Sequence, residues 1–478
     1  MKFSYTSAVA LASCLSPVTA AVACKAPVSG VAKGEGIEVD VAIIGGGSSG
    51  IHAAIHLQDA GAKVAVIEKK AQIGGHAETY INPKTNIPAN VGVVIFEDTD
   101  VVQKYFDRLR VPTTKRNPAA SVGRTEVYDF SMGFHAVGQP DAAAQQAIAA
   151  ALQVYGQTVL PKYPWLDQGY LIPDPVPEEL LVPFGQFAQQ YNFSAALPAI
   201  AQYAWYVGNI TSIPALYGLK NFGPGMLKSV SGGFIVPQSG NTRSLYDAAK
   251  AELGSSVLYE STVTSVHRSK KGVSVVVQQK GQGIKTIKAK KLIVAIPQTI
   301  DNLQPFELSS KERSLFSALT GIGYVAGVAN IPGLNVSLQN VGVLTPANTP
   351  NIPGSNGFYT SGSPNQFLLG VGFDDTDYTL EDAQAVILKE LATLEASGGV
   401  PSGSSKRVTF PYLTNHAPFN LRVSSEEIKK GFYKKLLGLQ GEKSTYWTGA
   451  AIASQNSGLL WTWNEGTVLP ALKKELGL

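Results

Sequence analysis

Apolar runs and turn residues alternate in a regular order near the start of the chain. The run Val39 to Ile44 is almost entirely apolar, which predicts a strand buried on both faces. A glycine-rich turn and a helix are expected next, and the run Lys63 to Ile67 predicts a second strand. This order predicts a β-α-β unit with a parallel sheet.

The first predicted strand meets the helix at a G-x-G-x-x-G pattern. Gly45, Gly47 and Gly50 form it, with Ser48 and Ser49 between them. The glycines let the main chain turn tightly and approach a pyrophosphate at the helix N-terminus, where the two serines are expected to cap free N–H groups. The pattern predicts a dinucleotide site.

An acidic residue stands where such a site needs one. Glu68 ends the second predicted strand, eighteen residues beyond Gly50. A carboxylate here can accept both hydroxyl hydrogens of a ribose, which favours an unphosphorylated adenosine dinucleotide over NADP.

A second glycine pair follows six residues after Glu68. Gly74 and Gly75 precede His76 and Thr79, and NAD does not require such a pair. The sequence here resembles the flavin-containing amine oxidase superfamily, and its GGH form and Thr79 resemble the β-cyclopiazonate dehydrogenase family of secreted fungal flavoproteins. The resemblance implies FAD as cofactor, with contacts from Gly45, Gly47, Ser49, Gly50, Glu68, Gly74, Gly75 and His76.

Later segments carry the same resemblance. A helix is expected at 241–253 and strands within 257–278, where the family's counterpart of Val263 places backbone groups against the adenine. The stretch 286–297 resembles the family's strand that returns beneath the nucleotide.

The C-terminal stretch 444–474 resembles the family's closing segment. It implies that Gly449 meets the flavin and that a helix N-terminus points at the pyrimidine end of the ring. Gly92, within 79–96, matches a glycine beside the ring, although an ordinary turn before a buried strand explains this stretch equally well. Trp461 and Trp463 are either ring walls or core residues.

Together these features imply an α/β fold, with a Rossmann-like FAD-binding domain of the amine oxidase/glutathione reductase-like type and an interleaved α+β substrate domain. The expected boundaries are a signal peptide (1–23), FAD-binding segments (38–100, 231–300 and 436–478), a helical, aromatic-rich substrate cap (101–230) and the rest of the substrate domain (301–435). Helices are expected at 141–152 and 381–396, and a strand at 367–372.

The cap is dense in proline and aromatic residues, which favour a flat or apolar ligand. Each ring has an alternative place in a helical core. The rings are Tyr163, Trp165, Tyr170, Phe184, Phe187, Tyr191, Phe193, Tyr203, Trp205, Tyr206 and Tyr217.

The first 23 residues have the pattern of a secretory leader, with Lys2 before an apolar core and small residues at a cleavage site. The alternative is a frayed hydrophobic N-terminus. The leader predicts secretion or a secretory-pathway lumen, where the sequons at Asn192, Asn209 and Asn335 would be glycosylation sites.

The composition limits the classes of binding partner that are expected. The net charge of +4 is modest and the basic residues are scattered, so nucleic acid is not expected as a partner. No apolar run after the leader is long enough for a transmembrane helix. Both cysteines, Cys14 and Cys24, lie in or beside the leader, so no disulfide is expected within the mature chain. The expected partner is a small-molecule substrate.

Two histidine patterns have competing interpretations. His52 and His56 are spaced i, i+4, but the sequence shows neither a third ligand nor H-E-x-x-H, which favours polar helix residues over a metal site. His76 replaces an arginine, and Gln72 another basic residue, of many amine oxidases. His76 therefore faces either the pyrophosphate or the flavin, where covalent attachment through its ring is a further alternative.

Two family features are missing, the flavin-linking cysteine near Gly449 and the lysine near flavin N5, where 298–306 reads QTIDNLQPF.

From the resemblance as a whole we expect a secreted FAD-dependent oxidoreductase that removes hydride from a bulky apolar or aromatic molecule, in secondary metabolism, by oxidation or oxidative cyclisation. The alternatives are a flavin-dependent double-bond isomerase of unsaturated fatty acids and a non-catalytic FAD-binding protein. No general base can be named from the sequence.

Overall fold

A computed structural model describes residues 36–117, 124–136, 142–204 and 208–478. Within them the strands are, in chain order, β1 Gly36–Ile44, β2 Val64–Ile67, β3 Ala77–Ile81, β4 Pro88–Gly92, β5 Thr113–Arg116, β6 Thr125–Asp129, β7 Phe134–His135, β8 Phe234–Pro237, β9 Val257–Leu258, β10 Ser261–Ser269, β11 Gly272–Gln279, β12 Gly283–Val294, β13 Thr320–Asn330, β14 Ser337–Asn340, β15 Gly354–Ser355, β16 Gly357–Thr360, β17 Gln366–Phe373, β18 Thr409–Asn415, β19 Phe419–Arg422 and β20 Thr445–Trp447.

The α-helices of the same residues are α1 Ser48–Asp59, α2 Asp100–Arg108, α3 Ala142–Val154, α4 Phe184–Gln190, α5 Leu197–Tyr203, α6 Ala215–Asn221, α7 Pro224–Gly232, α8 Ser244–Leu253, α9 Ser310–Ser317, α10 Leu380–Ala396, α11 Ser404–Arg407, α12 Ser425–Lys429, α13 Phe432–Leu437, α14 Ala450–Ala453, α15 Ser457–Trp463 and α16 Leu469–Leu476. A π-helical turn, Asn464–Val468, joins α15 to α16.

The first sheet gathers strands from distant parts of the chain. Its order is β10-β11-β12-β1-β2-β9, and β20 also pairs with β12. β1 lies parallel between β2 and β12. All four residues of β2 and the last four of β1 are buried, as expected for a parallel sheet covered on both faces. The α/β fold class predicted from the sequence is confirmed.

The second sheet has the order β18-β13-β17-β16-β14-β6-β7, with β15 paired to β17 and β19 to β13. Helix α10 begins with a capping box at Thr379 and Asp382 and buries Ile387, Leu391 and Leu394 in the core of this sheet. The predicted strand 367–372 is the centre of β17.

The expected helices are present with shifted ends, because helix starts depend on capping contacts that periodicity does not show. The helix expected at 241–253 begins at Ser244 instead. The stretch 79–96 holds a two-stranded hairpin, β3 and β4, which ends at Gly92.

Most of the aromatic rings assigned to a substrate cap belong to the core. The described rings that are at most 3% exposed are Tyr163, Tyr170, Phe184, Phe187, Phe193 and Tyr217. For these six, core packing replaces the predicted role as substrate walls, because a helical segment of this length needs large side chains to fill its interior. Trp205 and Tyr206 lie outside the described residues, as do the leader and both cysteines.

Candidate active site

The two glycine turns predicted from the sequence meet at the carboxyl end of β1. The N–H of Gly74 donates to the carbonyl of Gly46 at 2.8 Å, and a Cβ on Gly75 would lie 3.0 Å from Gly47 Cα. Gly45–Gly50 and Gly74–Gly75 together are called the glycine cradle below. It lies at the edge of the sheet where parallel α/β folds bind ligands.

The cradle requires glycine at particular positions. Gly45 has a φ of 108°, in the region that disfavours other residues, and a Cβ there would lie 2.9 Å from Ile296 Cγ2. A Cβ on Gly50 would collide with the Gly45 carbonyl oxygen. Gly47 differs, because its φ is −78° and the nearest atom to an added Cβ is Gly75 Cα at 3.8 Å. Space at Gly47 is therefore free for a ligand.

Glu68 lies against the cradle. Its Oε2 accepts the N–H of Gly46 at 2.8 Å, and its Oε1 accepts the N–H of Lys70 at 2.7 Å. These bonds hold the buried carboxylate beside the glycine turn. The Glu68 carbonyl also accepts the N–H of Ser261 at 2.9 Å, which places β10 next to it. Val263, two residues further on, pairs with Val277 and is half-buried.

The serines of the turn do not cap the helix as predicted. The N-cap of α1 is Gly47, which makes no side-chain cap bond. Ser49 instead shares a 2.6 Å hydrogen bond with Thr448, and Ser48 donates to Ser457 at 3.0 Å. Both side chains therefore turn to the C-terminal segment, which leaves the first N–H groups of α1 open to an anionic ligand.

Gly449 lies directly after this contact, with a φ of 109°. Gln298 supports the same loop, because its Nε2 donates to the Thr448 carbonyl at 2.9 Å. Gln298 is fully buried, and within the described part of the chain its Oε1 has no hydrogen-bond partner. The sequence analysis noted this position only for a missing lysine, so Gln298 was not identified as a site residue.

Known proteins match the whole of this arrangement. A family model described as an NAD(P)-binding Rossmann-like domain matches residues 43–109, and one described as a flavin containing amine oxidoreductase matches residues 208–377. An FAD-dependent oxidoreductase of Colletotrichum higginsianum is 53% identical, over 92% of this chain and 95% of the relative. The β-cyclopiazonate dehydrogenase of Aspergillus flavus is 35% identical, over 93% and 95%.

The chain belongs to the flavin-containing amine oxidoreductases. It is an FAD-dependent oxidoreductase, so the family, enzyme class and cofactor expected from the sequence are confirmed. Among solved structures, a CLA-producing fatty acid isomerase from P. acnes has a TM-score of 0.74 at 21% identity, covering 90% of this chain and 98% of that one. A wild-type putrescine oxidase has a TM-score of 0.62 at 16% identity, covering 91% and 100%. These two show the shared fold.

The residues present fit FAD. The cradle leaves space at Gly47, and the unpartnered Oε1 atoms of Gln298 and Gln455 offer hydrogen-bond acceptors on buried surfaces nearby. Glu68 has carboxylate oxygens for a ribose. Helix α15, capped by the Asn456 side chain at Leu459 N–H, presents its N-terminus after Gly449. When bound, FAD supplies a two-electron acceptor.

His76 follows the cradle and contacts a second histidine. Its ring stacks on His416 with centroids 4.2 Å apart, and its Nδ1 lies 3.1 Å from Gln455 Nε2. Loss of solvation, reinforced by Lys70, lowers the pKa of His76 to about 4. The imidazole is therefore neutral at physiological pH in the cofactor-free chain, where it carries no positive charge of the kind that an arginine would supply.

His416 was not identified from the sequence. It is 1% exposed, and neither ring nitrogen has a hydrogen-bond partner among the described residues. Burial, and then the neighbouring His76, lower its pKa well below the usual range. A Cβ on Gly92 would lie 2.5 Å from its Cε1, so the hairpin end, the cradle and His416 meet at one place.

Aromatic rings continue from this place into the second sheet. Tyr324 lies 4.9 Å from Phe419 and 5.8 Å from His416, measured between ring centroids. His76, Tyr324, His416 and Phe419 are called the aromatic group below. They come from β13, β18–β19 and the cradle, which sequence reasoning could not bring together.

The remaining candidates lie elsewhere. Trp461 and Trp463 are at most 2% exposed and belong to the main core, where Trp461 stacks on Phe96 and on His52. This favours their interpretation as core residues. Asn192, Asn209 and Asn335 are all exposed, and glycosylation there stays a prediction. Across the described ranges, no helix combines the length and apolarity that crossing a membrane requires.

Proposed function

We propose that this oxidoreductase removes a hydride and a proton from a bulky apolar or aromatic small molecule held against the aromatic group. The observation that carries the proposal is His416. It is a buried, neutral imidazole with two unpartnered nitrogens, next to the residue that follows the cradle. A buried polar group without a partner in the protein requires an explanation, of which a catalytic role is one, and the proposal assigns that role to His416.

In the proposed reaction one C–H or N–H bond of the substrate loses its proton to His416. FAD held by the glycine cradle would supply the two-electron acceptor for a hydride from a neighbouring carbon, so the substrate would be oxidised by two electrons. A neutral imidazole with a lone pair can accept that proton, and because burial lowers the pKa of His416 it would hold the proton only until a stronger base or water removed it. The aromatic group orients the substrate and excludes water, and cyclisation follows where the oxidised product carries an internal nucleophile.

The substrate class is supported by the site's neutral, ring-lined character. Its side chains offer large apolar area and few charges, which suits a flat apolar ligand. A 35% identical relative is named for β-cyclopiazonate, and a role in fungal-type secondary metabolism is proposed on that likeness. The exposed sequons and the leader pattern support the further proposal that the protein is secreted.

The test is anaerobic mixing of the FAD-loaded enzyme with β-cyclopiazonate and a panel of bulky apolar amines and indoles. We expect one compound to bleach the flavin and to yield a product oxidised by two electrons. We expect His416→Ala to slow bleaching about 100-fold, the lower range for loss of a general base, while FAD content is unchanged. Equal bleaching rates in His416→Ala and the natural enzyme would refute the role of His416.

A fatty-acid double-bond isomerase is the second candidate. The absence of an evident counterpart, within 298–306, of the lysine that amine oxidases hold near flavin N5 favours it, because hydride that returns to the substrate needs no reoxidation by oxygen. Linoleate is the probe. Its conversion to a conjugated isomer without any external electron acceptor would support this candidate over net oxidation. The non-catalytic alternative is not retained, because the enzyme class is established by the relatives.

A further inference from the structure

Three side chains outside the cofactor site form a cluster with the composition of a metal centre. His52 and His56 lie one turn apart on α1, and Glu465 faces them from the π-helical turn Asn464–Val468. One ligand atom from each of the three lies within 4.8 Å of the others. From this juxtaposition we propose that His52, His56 and Glu465 bind a divalent transition metal ion of the zinc type.

The spacing fits a tetrahedral ion. Zinc binds imidazole nitrogen and carboxylate oxygen at about 2.0–2.2 Å, so ligand atoms around it lie about 3.4 Å apart. Glu465 Oε1 is 3.5 Å from His52 Nε2 and 3.9 Å from His56 Nε2. A shift of about 0.5 Å would bring His56 to the tetrahedral distance from Glu465, and the two imidazoles offer ligand atoms within 4.8 Å of each other. Water would complete the fourth position.

The nitrogens that face Glu465 are otherwise unused. His52 is fully buried, and within the described residues neither its Nε2 nor that of His56 has a hydrogen-bond partner. A hydrogen bond from His52 to Glu465 is the metal-free alternative, but 3.5 Å is longer than normal for such a bond. Two imidazoles and one carboxylate form the donor set of many zinc sites.

The site has an entrance. The side chains of His56 and Glu465 are 24% and 39% exposed, so an ion reaches the cluster from the surface while His52 closes it from inside. The positive charge of the nearby Arg108, which would repel a cation, is balanced because its guanidinium pairs with both Asp59 and Glu252. Sequence analysis missed this site because its third ligand comes from a helix more than 400 residues away.

A metal ion here would connect helix α1 to the π-helical turn Asn464–Val468, two elements that lie far apart in the sequence. Helix α1 starts at the cradle, and the π turn continues α15, which starts after Gly449. The ion would act as a structural staple between them and would not take part in the oxidation. π turns within helices frequently mark functional sites.

The experiment uses the FAD-loaded full chain, stripped with a chelator and desalted, then titrated with zinc in a calorimeter and with cobalt(II) in a spectrophotometer. We expect one equivalent of either ion and the visible bands of four-coordinate cobalt. His56→Ala and Glu465→Gln should each weaken binding at least about tenfold, since even outer-shell changes have effects of that size.

The matched control is His267→Ala. His267 Nδ1 lies 3.2 Å from Glu307 Oε2, but this pair is exposed, and no third potential ligand joins it among the described residues. The control should bind zinc like the natural chain. Flavin absorbance and circular dichroism confirm that each variant is folded. Absence of stoichiometric binding, or equal binding by Glu465→Gln, would overturn the proposal.

Discussion

Replacement of Gly47 by alanine separates cofactor binding from folding. Gly47 has an ordinary φ of −78°, and an added Cβ would stand 3.8 Å from Gly75 Cα, a normal van der Waals distance. The cofactor-free chain should therefore lose no more than about 1 kcal/mol of unfolding free energy, the part expected from placing alanine at the N-cap of α1. The methyl group would occupy the space through which the backbone approaches a pyrophosphate.

The expected loss of FAD affinity follows from that overlap. Inserting a methyl group into a close-packed contact typically costs about 1–3 kcal/mol, which corresponds to a dissociation constant about 5- to 150-fold higher. Quenching of flavin fluorescence on titration of the cofactor-free chain gives the constant, and thermal unfolding of the same sample gives stability.

Two comparison variants frame the result. Gly45→Ala should lose both stability and FAD binding, because its φ of 108° and its 2.9 Å approach to Ile296 strain the backbone itself. Gly36→Ala, where none of the described residues lies within 4 Å of the added Cβ, should change neither. If Gly47→Ala bound FAD as tightly as the natural chain, the assignment of the cradle to the pyrophosphate would be wrong.

Three further predictions concern buried acids. Glu68→Ala should raise the FAD dissociation constant about 10- to 150-fold in the same titration, because hydrogen bonds to a charged group contribute about 1.5–3 kcal/mol; an unchanged constant would contradict its ribose role. Arg268→Ala should cost about 3 kcal/mol in urea unfolding, because it removes the bonds of 2.7 and 3.0 Å to the buried carboxylate of Glu312 and leaves Lys443, 4.0 Å away, as its charged partner. Burial acts to raise the pKa of Glu312, but bonds from Arg268 and Ser309 lower it below 4.5. The stability that the Arg268–Glu312 pair contributes should therefore be present above pH 4.5 and lost as pH falls further. An unfolding free energy that does not change with pH below 4.5 would argue against this contribution. Burial, and then Asp167, raise the pKa of Glu97 to about 8. The contribution of Glu97 to the free energy of unfolding should therefore be fully present below about pH 4.5 and lost as pH rises through 8. Glu97→Gln should flatten the dependence of the melting temperature on pH over that interval, and a slope identical to the natural chain's would contradict the shift in pKa.

Local pattern was enough to predict the cofactor half of the fold. The β-α-β unit from Val39 to Ile67 depends on residues close in sequence, and the backbone at Gly45 and Gly50 leaves no room for another side chain. The side-chain contacts at the start of helix α1 were harder to predict from the sequence. Ser48 and Ser49 look like caps in sequence, but Ser457 and Thr448, some 400 residues later, bind their hydroxyls instead.

The substrate side could not be predicted for the same reason. His416 and Gln298 carry no motif, and they become site residues only because β18 and the loop after β12 bring them to the cradle and to Gly449. The aromatic residues of the cap carried two interpretations from the sequence, ligand walls or a helical core. Burial favours the core for six of them.

The central claim is that the two glycine turns hold FAD beside His76 and His416. Its most direct measurement is the visible spectrum of the purified protein before and after acid precipitation, together with the flavin content of Gly47→Ala. We predict flavin bands with one FAD per chain in the natural protein and less in the variant. Yellow colour retained in the precipitate would indicate a covalent bond and select His76→Ala as the next variant. A colourless protein that does not take up added FAD would contradict the account.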